Sequence, residues 1–445
     1  MTSGPTPLAA ESIDAALARL ARHHPKTIDL SLDRIERLLE ALGRPQDRLP
    51  PVIHIAGTNG KGSTAAFLKA IAEAAGERVH VYTSPHLVRF NERIVLAGEI
   101  VDDARLKAAF DRVEAANGDA PITFFETTTA AAFLLFAETP ADRLILEVGL
   151  GGRLDATNVV SPEVCVITPV SLDHQAFLGD TVELIAAEKA GIIKPGVPVI
   201  VGPQSEGARA VIVEAARRLG APAKHWGEDF RAFIEHGRTV FEEESLLWDL
   251  PPPALAGPHQ VVNAGVACAA ARLCGYDQAA AREGLRAVRW PARLQRLTAG
   301  PLAGITQPRR AELWLDGGHN PSAAETLAAG LGQMDGASER PLVLISAFSV
   351  NKDAQGYFEY FSGLAARVIA ISFAGGRDGA QSAQSVADAA RAAQIPAQTA
   401  AGLREAVHDA LEDYDRPRIV ICGSLYLAGE VLALGTGDTV QATPG

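Results

Sequence analysis

Blocks of apolar and polar residues alternate through the first two hundred and fifty positions and predict strands and helices in turn. Short apolar runs predict buried strands at residues 52–56, 77–82, 144–148, 164–168 and 197–201. Apolar residues at helical spacing, and runs of strong helix formers, predict helices at residues 8–20, 30–42, 65–72, 102–116, 127–138, 182–190 and 261–275. Because the two element types alternate, we predict an α/β fold with a mostly parallel sheet covered by helices on both faces.

A second α/β unit follows the sequence Arg-Trp-Pro-Ala-Arg at residues 289–293, where the composition changes. Further strands are predicted at residues 312–315, 342–345, 367–373 and 418–422, with helices at 322–331, 385–393 and 402–411. We place the boundary at residue 296. This predicts a first domain of residues 1–296 and a second, smaller, Rossmann-like α/β domain of residues 297–445.

Residues 227–253 interrupt the alternation, with acidic residues at 242–244 and prolines at 251–253. This composition indicates either a small antiparallel sheet or an exposed loop. We expect residues 1–7 and 435–445 to form loose tails.

The glycine-rich stretch at residues 57–63 lies between a predicted strand and a predicted helix, as a phosphate-binding loop requires. Glycines let backbone amides surround an anion, and the helix N-terminus adds a partial positive charge. Lys61 can reach the outer phosphates of a nucleotide, and the hydroxyl of Ser63 or Thr64 can reach a magnesium ion. The loop is one residue shorter than the usual pattern, and Gly62 replaces the usual hydroxyl residue. A P-loop NTPase-like first domain is predicted; the alternative is an unrelated glycine-rich turn.

A metal site is predicted from residues that follow the ends of different strands, namely Ser84, Glu147 and His174. The carboxyl ends of parallel strands share one edge of a sheet, where ligands bind. A hydroxyl, a carboxylate and an imidazole suit Mg²⁺ bound together with phosphates, and the histidine admits Mn²⁺ as an alternative. Taken singly, the three residues also fit a turn, a strand-terminal carboxylate and a loop histidine.

Two other segments are ambiguous on their own. Lys189 lies on an alanine-rich helix, where a lysine is usually a solvated surface residue. Residues 316–321, Asp-Gly-Gly-His-Asn-Pro, follow a strand of the second domain and open a helix. They predict either a simple helix start or a nucleotide contact made across the gap between the domains.

The formal net charge of −12 argues against a general nucleic-acid or membrane-surface binder. The four cysteines form no C-x-x-C pair and match no zinc spacing. No signal peptide and no apolar run of about 18 residues is present in the sequence. We therefore expect a cytoplasmic protein, and a monomer, with small-molecule partners only.

Seven stretches together carry a family resemblance: residues 57–63, 84–87, 123–126, 147–158, 172–174, 188–191 and 316–321. In this order they make the chain closely similar to the folylpolyglutamate synthases of the Mur ligase superfamily, from about residue 17 to about residue 432. The run Glu-Val-Gly-Leu-Gly-Gly-Arg-Leu-Asp-Ala-Thr-Asn at 147–158 is the most specific. The resemblance implies an ATP-dependent ligase that adds L-glutamate to 7,8-dihydropteroate and to tetrahydrofolate or its polyglutamates, through an acyl phosphate.

The resemblance also implies roles for individual residues. The ATP site would comprise Gly57, Thr58, Asn59, Gly60, Lys61, Gly62, Ser63, Asn263 at adenine, Arg293 at phosphate and Asp316 at ribose. Ser84, Glu147 and His174 would bind the metal, and Lys189 resembles a family lysine that carbon dioxide carbamylates. The catalytic residues would be Lys61, His174, Lys189, Arg293 and, as a base, His319. The pterin site would comprise Asp29, Leu30, Ser31, Leu32, Thr123, Phe124, Phe125, Glu126, Arg153, Leu154, Asp155 and Ala156.

The chain departs from the family pattern at Ala292, where glycine is common, and at Gly318, where alanine is common. Three alternatives stay open: a folylpolyglutamate synthase with one activity, a Mur-type cell-wall peptide ligase, and a P-loop regulatory ATPase. The peptide ligase is disfavoured because only about fifty residues precede the phosphate loop and because Gly62 follows its lysine. The regulatory ATPase gives no reason for the pterin-site segments.

Overall fold

The computed structural model describes residues 12–22, 31–334, 340–374 and 379–441. The helices in these residues are α1 (Ile13–Ala21), α2 (Asp33–Ala41), α3 (Lys61–Ala74), α4 (Asp103–Asn117), α5 (Phe124–Glu138), α6 (Gln175–Leu178), α7 (Val182–Ala190), α8 (Glu206–Arg218), α9 (Pro258–Leu273), α10 (Gln278–Ala287), α11 (Pro301–Thr306), α12 (Pro321–Met334), α13 (Ala354–Glu359), α14 (Ala383–Ala392), α15 (Leu403–Asp413) and α16 (Leu425–Thr436).

The strands of the first domain are β1 (Val52–Ala56), β2 (Val79–Tyr82), β3 (Ile94–Leu96), β4 (Glu99–Ile100), β5 (Arg143–Glu147), β6 (Val164–Ile167), β7 (Val199–Val201), β8 (Ala223–His225), β9 (Phe230–Glu235), β10 (Arg238–Glu243) and β11 (Leu246–Leu250). Those that follow are β12 (Gln295–Arg296), β13 (Glu312–Leu315), β14 (Leu342–Ser346), β15 (Ala365–Ala370), β16 (Ala397–Thr399) and β17 (Arg418–Cys422).

The first sheet has eight strands in the order β4-β3-β2-β5-β1-β6-β7-β8. The strands from β2 to β8 in this order are parallel, and β3 and β4 are antiparallel. This confirms the predicted α/β fold with a mostly parallel sheet. The sequence did not predict β3 and β4, which are too short for a clear pattern. The central position of β1 places the glycine loop that follows it at the middle of the sheet edge.

Helices cover both faces of this sheet. Ile53 and Ile55 of β1 pack into a core with α3, α9 and α10. Val52, on the opposite face, packs into a second core with α1, α2, α4 and α5. Side chains of a strand alternate between faces. His54 therefore lies on the same face of the sheet as Val52 and Ala56. Ala56 packs with α7 and α8.

Residues 230–250 form the small antiparallel sheet β11-β10-β9, as one of the two predictions for this region proposed. Phe230, Phe241 and Trp248 pack against α9 in the core of the first domain. Glu243 follows Phe241 by two positions and lies on the same face of the sheet, where its buried carboxylate pairs with Lys224 and Arg272. Apolar packing against α9, together with the pairing of this buried carboxylate, thus explains why the acidic region is ordered.

The second domain contains a six-stranded sheet in the order β12-β13-β17-β14-β15-β16. All its strands are parallel except β12, which pairs antiparallel with β13. The sheet begins at Gln295, beside the boundary predicted at residue 296, and two apolar clusters cover its faces. The two domains are therefore both α/β units, as predicted, while the exact boundary stays a prediction.

The expectation of a loose tail is wrong for residues 435–441. Helix α16 continues to Thr436, and Gln441 then returns to the first domain. The Gln441 amide donates to the Val88 carbonyl at 2.8 Å, and its side-chain oxygen accepts from the Phe90 amide at 2.7 Å. These hydrogen bonds fix the segment on the loop that follows β2. Residues 1–7 and 442–445 lie outside the described residues.

Candidate functional site

One cleft of about 1250 Å³ lies between the two domains and is lined by the loops that follow strands of both sheets. The first domain contributes loops after β1, β2, β5 and β6, and the second contributes loops after β13, β14 and β17. The phosphate loop, Ser84, Glu147 and His174 lie together here, as the strand-end argument predicted. The volume exceeds that of a pocket for one small ligand, so the cleft can hold a nucleotide and a second substrate.

The phosphate loop leaves the N-terminus of α3 without a side-chain cap. Gly60, the residue before the helix, has φ of 89°, and no side chain caps the helix at that position. The hydroxyl of Thr58 donates to the Ser171 carbonyl and accepts from the Ser171 amide, both at 3.1 Å. The loop is thus fixed to the end of β6, while the N-terminal turn of α3 faces the cleft as an anion site.

Close neighbours explain the glycines of this loop. A Cβ on Gly57 would lie 1.8 Å from Thr168 Oγ1, and one on Gly60 would lie 2.5 Å from Asn263 Oδ1. A Cβ on Gly62 would lie 2.8 Å from the indole of Trp290. The absence of a hydroxyl residue at position 62 therefore follows from the packing of Trp290 there. Trp290 belongs to the segment that joins the two domains, residues 289–294, which we call the hinge.

Lys61 folds back over the loop that precedes it. Its Nζ atom donates to the carbonyls of Gly57 and Thr58 at 3.0 and 3.2 Å. In this position the ammonium group lies directly above the anion site. It can exchange these neutral acceptors for phosphate oxygens, which accept stronger hydrogen bonds from an ammonium group.

Helix α9 reaches the phosphate loop through a residue that the sequence analysis missed. Gln260 is fully buried, and its Nε2 atom donates to Ser63 Oγ at 3.3 Å. Its Oε1 atom accepts from Asn263 Nδ2 at 3.1 Å. The predicted adenine contact and the phosphate loop are thus connected through one amide. The spacing of three residues between Gln260 and Asn263, one helical turn, was the available signal.

The predicted metal ligands all line the cleft. Glu147 is buried, and its Oε2 atom accepts from the Ser84 amide at 3.2 Å. Burial raises the pKa of Glu147, although Lys61 lowers it in part. Burial lowers the pKa of His174 to about 4, so its imidazole is neutral and can donate a lone pair. His174 has φ of 53°, an uncommon conformation for a residue with a side chain.

This donor set fits a hard divalent cation held partly by phosphates. Among the described residues, no three His, Cys, Asp or Glu side chains are grouped as a ready-made metal site. The set in the cleft instead combines the Ser84 hydroxyl, the Glu147 carboxylate and the His174 imidazole. Few protein ligands and several substrate or water oxygens are what Mg²⁺ prefers.

Lys189 is not a solvated surface residue. Its side chain extends from α7 into the cleft, and only 4% of the residue is exposed. Among the residues with assigned positions, Lys189 makes neither a hydrogen bond nor an ion pair through its side chain. Burial, followed by the nearby Lys61, lowers its pKa to about 7. The ammonium form is therefore poorly stabilised, and a substantial fraction of the amine is neutral near pH 7.

Asp173 connects the two domains across the cleft. Its carboxylate binds Lys352 Nζ at 2.6 Å and accepts from Asn320 Nδ2 at 3.0 Å. Asn320 also pairs with Asn59 of the phosphate loop, with two amide contacts of 3.2 Å. Burial would raise the pKa of Asp173, but His174, Lys352 and His319 hold it below its usual range. Lys352 could not be found from the sequence, because a lone lysine in a loop has no pattern.

His319 lies beside this contact. Its Nδ1 atom is 3.0 Å from the Gly317 carbonyl, which assigns the proton to Nδ1 and leaves a lone pair on Nε2. Nε2 is 3.9 Å from the Asp173 carboxylate. Burial, and then Lys352, lower the pKa of His319 to about 4, so the ring is neutral.

The hinge holds Arg293 between two residues in the left-handed region. Ala292 has φ of 56° and Leu294 has φ of 43°. Glycine adopts this left-handed conformation without strain, whereas Ala292 adopts it with a side chain. Asp316 fixes the hinge, because its carboxylate accepts from the Leu294 amide at 2.8 Å and from the Gly318 amide at 2.7 Å.

Part of the predicted pterin site lines the same cleft. These residues are Ser31, Thr123, Phe125, Glu126, Leu154, Asp155 and Ala156. The Phe125 ring lies 2.4 Å from the position that a Cβ on Gly149 would take, so it packs directly on the loop after β5. Arg34, which the sequence analysis missed, also lines the cleft and pairs with Glu126 at 3.1 Å.

Other predicted pterin residues lie elsewhere. Phe124 is buried in the core, where it contacts Phe90. Arg153 is exposed and pairs with Glu188 at 2.8 Å, and Leu32 packs at the edge of the core. Asp29 and Leu30 lie outside the described residues.

Comparison with known proteins gives matches along most of the chain. The family model "Mur ligase middle domain" matches residues 55–271, and "Dihydrofolate synthetase, C-terminal domain" matches residues 303–434. The chain is 38% identical to a dihydrofolate synthase/folylpolyglutamate synthase of Escherichia coli (strain K12) over 326 residues, which are 72% of this chain and 73% of that protein.

Two solved structures are similar over nearly the whole chain. One is E. coli FolC in complex with DHPP and ADP, with a TM-score of 0.86, 32% identity and coverage of 97% of this chain and 99% of that chain. The other is a bifunctional folylpolyglutamate synthase/dihydrofolate synthase with Mn, AMPPNP and L-glutamate bound, with a TM-score of 0.83, 32% identity and coverage of 96% and 99%. Within the described part of the chain, no helix combines the length and apolar character needed to span a membrane.

Proposed function

The chain belongs to the dihydrofolate synthase/folylpolyglutamate synthase family of ATP-dependent Mur-type ligases, and we propose that it adds L-glutamate to 7,8-dihydropteroate and to tetrahydrofolate or its polyglutamates. One observation carries the proposal. The phosphate loop after β1, Glu147 and the predicted pterin residues Phe125 and Asp155 all line one cleft. A carboxylate at the end of a bound pterin substrate can therefore meet the terminal phosphate of ATP.

The chemistry requires activation of a carboxylate, because its oxygen is a poor leaving group. Phosphoryl transfer from ATP to this carboxylate gives an acyl phosphate and ADP, and the amine of glutamate then displaces phosphate to form an amide. Lys61 and Arg293 neutralise charge on the transferring phosphoryl group. The acyl phosphate is sensitive to water, and the contacts of Asp173 with Lys352 and Asn320 close the cleft around it.

A divalent metal ion would be held by Ser84, Glu147 and His174 together with the ATP phosphates, with Mg²⁺ as the expected ion and Mn²⁺ as the alternative. When bound, it supplies positive charge at the phosphate oxygens. Support comes from the neutral imidazole of His174 and from the buried carboxylate of Glu147, which needs a positive partner. We propose that Nε2 of His319 accepts the amine proton of glutamate. The lone pair of Nε2 is available because Nδ1 donates its proton to the Gly317 carbonyl.

The proposal is tested by measuring ADP release by the purified protein with ATP and L-glutamate, separately with dihydropteroate and with tetrahydrofolate. We expect ADP release only when glutamate and one of these acceptors are both present. Turnover with tetrahydrofolate alone would favour the enzyme with a single activity. Equal ADP release without any acceptor would contradict the ligase and favour the regulatory ATPase, and turnover of a UDP-linked peptide precursor would favour the cell-wall ligase.

We further propose that carbon dioxide carbamylates Lys189 in the active enzyme. The modification replaces a buried cation by an anion, which suits a position beside a metal ion and next to Lys61. Support comes from the burial of Lys189 and from its pKa of about 7. Carbamylation requires the neutral amine, so it should increase as the pH rises through this value.

Replacement of Lys189 by alanine tests this proposal. We expect a loss of activity of at least about 100-fold, since one preorganised charge next to the phosphates is removed. Small carboxylic acids should restore part of the activity, and ¹³C-bicarbonate should give a carbamate resonance in the wild-type protein only. The variant K107A, at a partly buried surface lysine paired with Asp111, serves as the control. Unchanged turnover of K189A would contradict the proposal.

A further inference from the structure

A buried chain of hydrogen bonds leads from the strand before the phosphate loop to the pterin side of the cleft. His54 of β1 is fully buried, and its Nε2 atom lies 2.9 Å from Thr157 Oγ1. Thr157 Oγ1 lies 2.5 Å from Asp155 Oδ1, and the Thr157 amide donates to the same oxygen at 3.0 Å. Asp155 lines the cleft, whereas His54 and Thr157 do not contact it.

The number of available protons fixes the direction of these bonds. An ionised carboxylate only accepts, so Thr157 donates its single hydroxyl proton to Asp155. The Thr157 oxygen can then accept, and His54 must carry its proton on Nε2 and donate it. The imidazole is neutral, since burial and then Lys194 lower the pKa of His54 to about 3.

The reverse direction is less favourable. If Asp155 were protonated and donated to Thr157, the hydroxyl would donate to His54 Nε2, and His54 would carry its proton on Nδ1. That atom is buried and has no hydrogen-bond partner among the described residues. An unpaired buried N–H group is more costly than an unpaired acceptor lone pair. The arrangement therefore favours an ionised Asp155, although burial raises the pKa of this carboxyl.

The second carboxylate oxygen is fixed as well, because Asp155 Oδ2 accepts from the Leu150 amide at 2.8 Å. Both oxygens therefore have defined positions, and the plane of the carboxylate cannot rotate freely. Oδ1 already accepts two hydrogen bonds from Thr157, so the acceptor capacity that remains is on Oδ2. A planar ligand with an N–H group at its edge can donate to this fixed oxygen, and the aminopyrimidinone edge of a reduced pterin carries such donors.

We infer that His54 and Thr157 are positioning residues for the pterin-bearing substrate. Their hydrogen bonds keep Asp155 ionised and fix the orientation of its carboxylate. The inference rests on the proposed function, because that function supplies the pterin. It assigns a role in acceptor binding to a histidine in the strand that leads into the ATP loop. The ATP loop itself begins only at Gly57, and among the described residues the His54 side chain makes no hydrogen bond to residues 57–63.

Two pairs of variants test the inference. H54F removes the N–H donor at similar volume, and H54Q retains a donor near the position of Nε2. T157V removes the hydroxyl at similar volume, and T157S retains it. We expect H54F and T157V to raise the KM for dihydropteroate about 10-fold, with the KM for ATP within about 2-fold of wild type, as loss of one hydrogen bond to a charged group predicts. H54Q and T157S should restore most of the affinity.

The double variant H54F/T157V distinguishes one chain of bonds from two separate effects. Because His54 acts through the Thr157 hydroxyl, the double variant should bind dihydropteroate no more weakly than T157V alone. Additive increases in KM would contradict the inference.

A matched control separates positioning from general destabilisation. His80 on β2, which β5 separates from β1, is also fully buried, but its Nε2 atom is 2.9 Å from the Thr139 carbonyl, away from the cleft. H80F should lower thermal stability and leave the KM for dihydropteroate unchanged. If H54F fails to fold, the comparison of T157V with T157S tests the inference, because only T157V removes the hydroxyl donor.

Two negative results would differ in meaning. A wild-type protein with no dihydropteroate turnover would overturn the proposed function and this inference together. Normal wild-type turnover, with an unchanged KM for dihydropteroate in T157V, would overturn the inference alone. The inference alone would also be overturned if T157V and T157S raised the KM for dihydropteroate and the KM for ATP to the same extent.

Discussion

The two domains each present a strand–loop–helix unit to the cleft, and the units treat their helix N-termini differently. In the first domain, residues 57–60 join β1 to α3, and no side chain caps the helix. In the second, residues 316–320 join β13 to α12, and Asn320 Oδ1 accepts from the Ala323 amide at 2.9 Å. A loop that leaves its helix amides uncapped can bind an anion, whereas a capped loop has already used them.

The two loops also differ in charge, and this difference again favours anion binding by the first loop. The first loop places Lys61 above its uncapped amides. The second contains Asp316, whose oxygens accept backbone amides of Leu294 and Gly318. The pair of Asn59 and Asn320 joins the two loops directly. The first loop is therefore suited to bind the phosphates, and the second to fix the hinge and hold the domains together.

The largest effect is expected when the positive charge of the first loop is removed. K61M should lower kcat by about 1000-fold or more, because the transferring phosphoryl group loses its nearest cation. Thermal stability should stay close to wild type, since Lys61 binds only loop carbonyls in the free protein. Steady-state kinetics and thermal unfolding measure the two quantities. The variant K107M provides the control, and a loss of kcat below about 10-fold would show that the loop lysine is not central.

A smaller effect is expected from a change in loop shape. G60A places a Cβ 2.5 Å from Asn263 Oδ1 at a residue with φ of 89°. We expect the KM for ATP to rise about 10-fold or more, because the loop and the adenine side of the site must both shift. Isothermal titration with ADP gives an independent measure.

Gly196 offers a matched control for G60A. Its φ is 73°, and no atom lies within 4 Å of the position that a Cβ would take there. G196A should therefore show only the cost of the left-handed backbone, about 1 kcal/mol of unfolding free energy. An equal change in nucleotide affinity in both variants would mean that the effect of G60A is indirect.

The smallest effect concerns the capped loop. N320A removes the cap of α12 and the contacts with Asn59 and Asp173, and should lower the unfolding free energy by about 1 kcal/mol. S382A removes a comparable cap from α14, away from the cleft, where Ser382 accepts from the Ser385 amide at 3.1 Å. Both variants should melt slightly earlier, and only N320A should also raise the KM for ATP. Identical kinetics of the two variants would show that the Asn59 contact contributes nothing to binding.

Elements with a strong periodic pattern were predictable from the sequence. The bounds of α7, β13 and β17 agree with the predicted ranges, and the strand-end rule brought Ser84, Glu147 and His174 to one edge. The start of α5 was missed by three residues. Its capping box of Thr123 and Glu126 was present in the sequence but was not used.

The rest depends on tertiary packing. Phe124 and Phe125 are adjacent in the sequence, yet on a helix they point about 100° apart, so one enters the core and the other the cleft. Lys189 could not be distinguished from a surface lysine, because its burial depends on elements distant in the chain. Arg34 and Lys352 bind carboxylates in other segments, and no local spacing indicates such pairs.

The contact between Trp290 and Gly62 has a practical consequence. The chain contains four tryptophans, and Trp290 is the one that packs on the phosphate loop at the hinge. Indole emission depends on local polarity and on nearby charge, both of which change when phosphates enter this loop. The protein therefore carries an intrinsic fluorophore at its proposed nucleotide site. Stopped-flow fluorescence can follow nucleotide binding and hinge motion without a chemical label, with W290F as the silent reference.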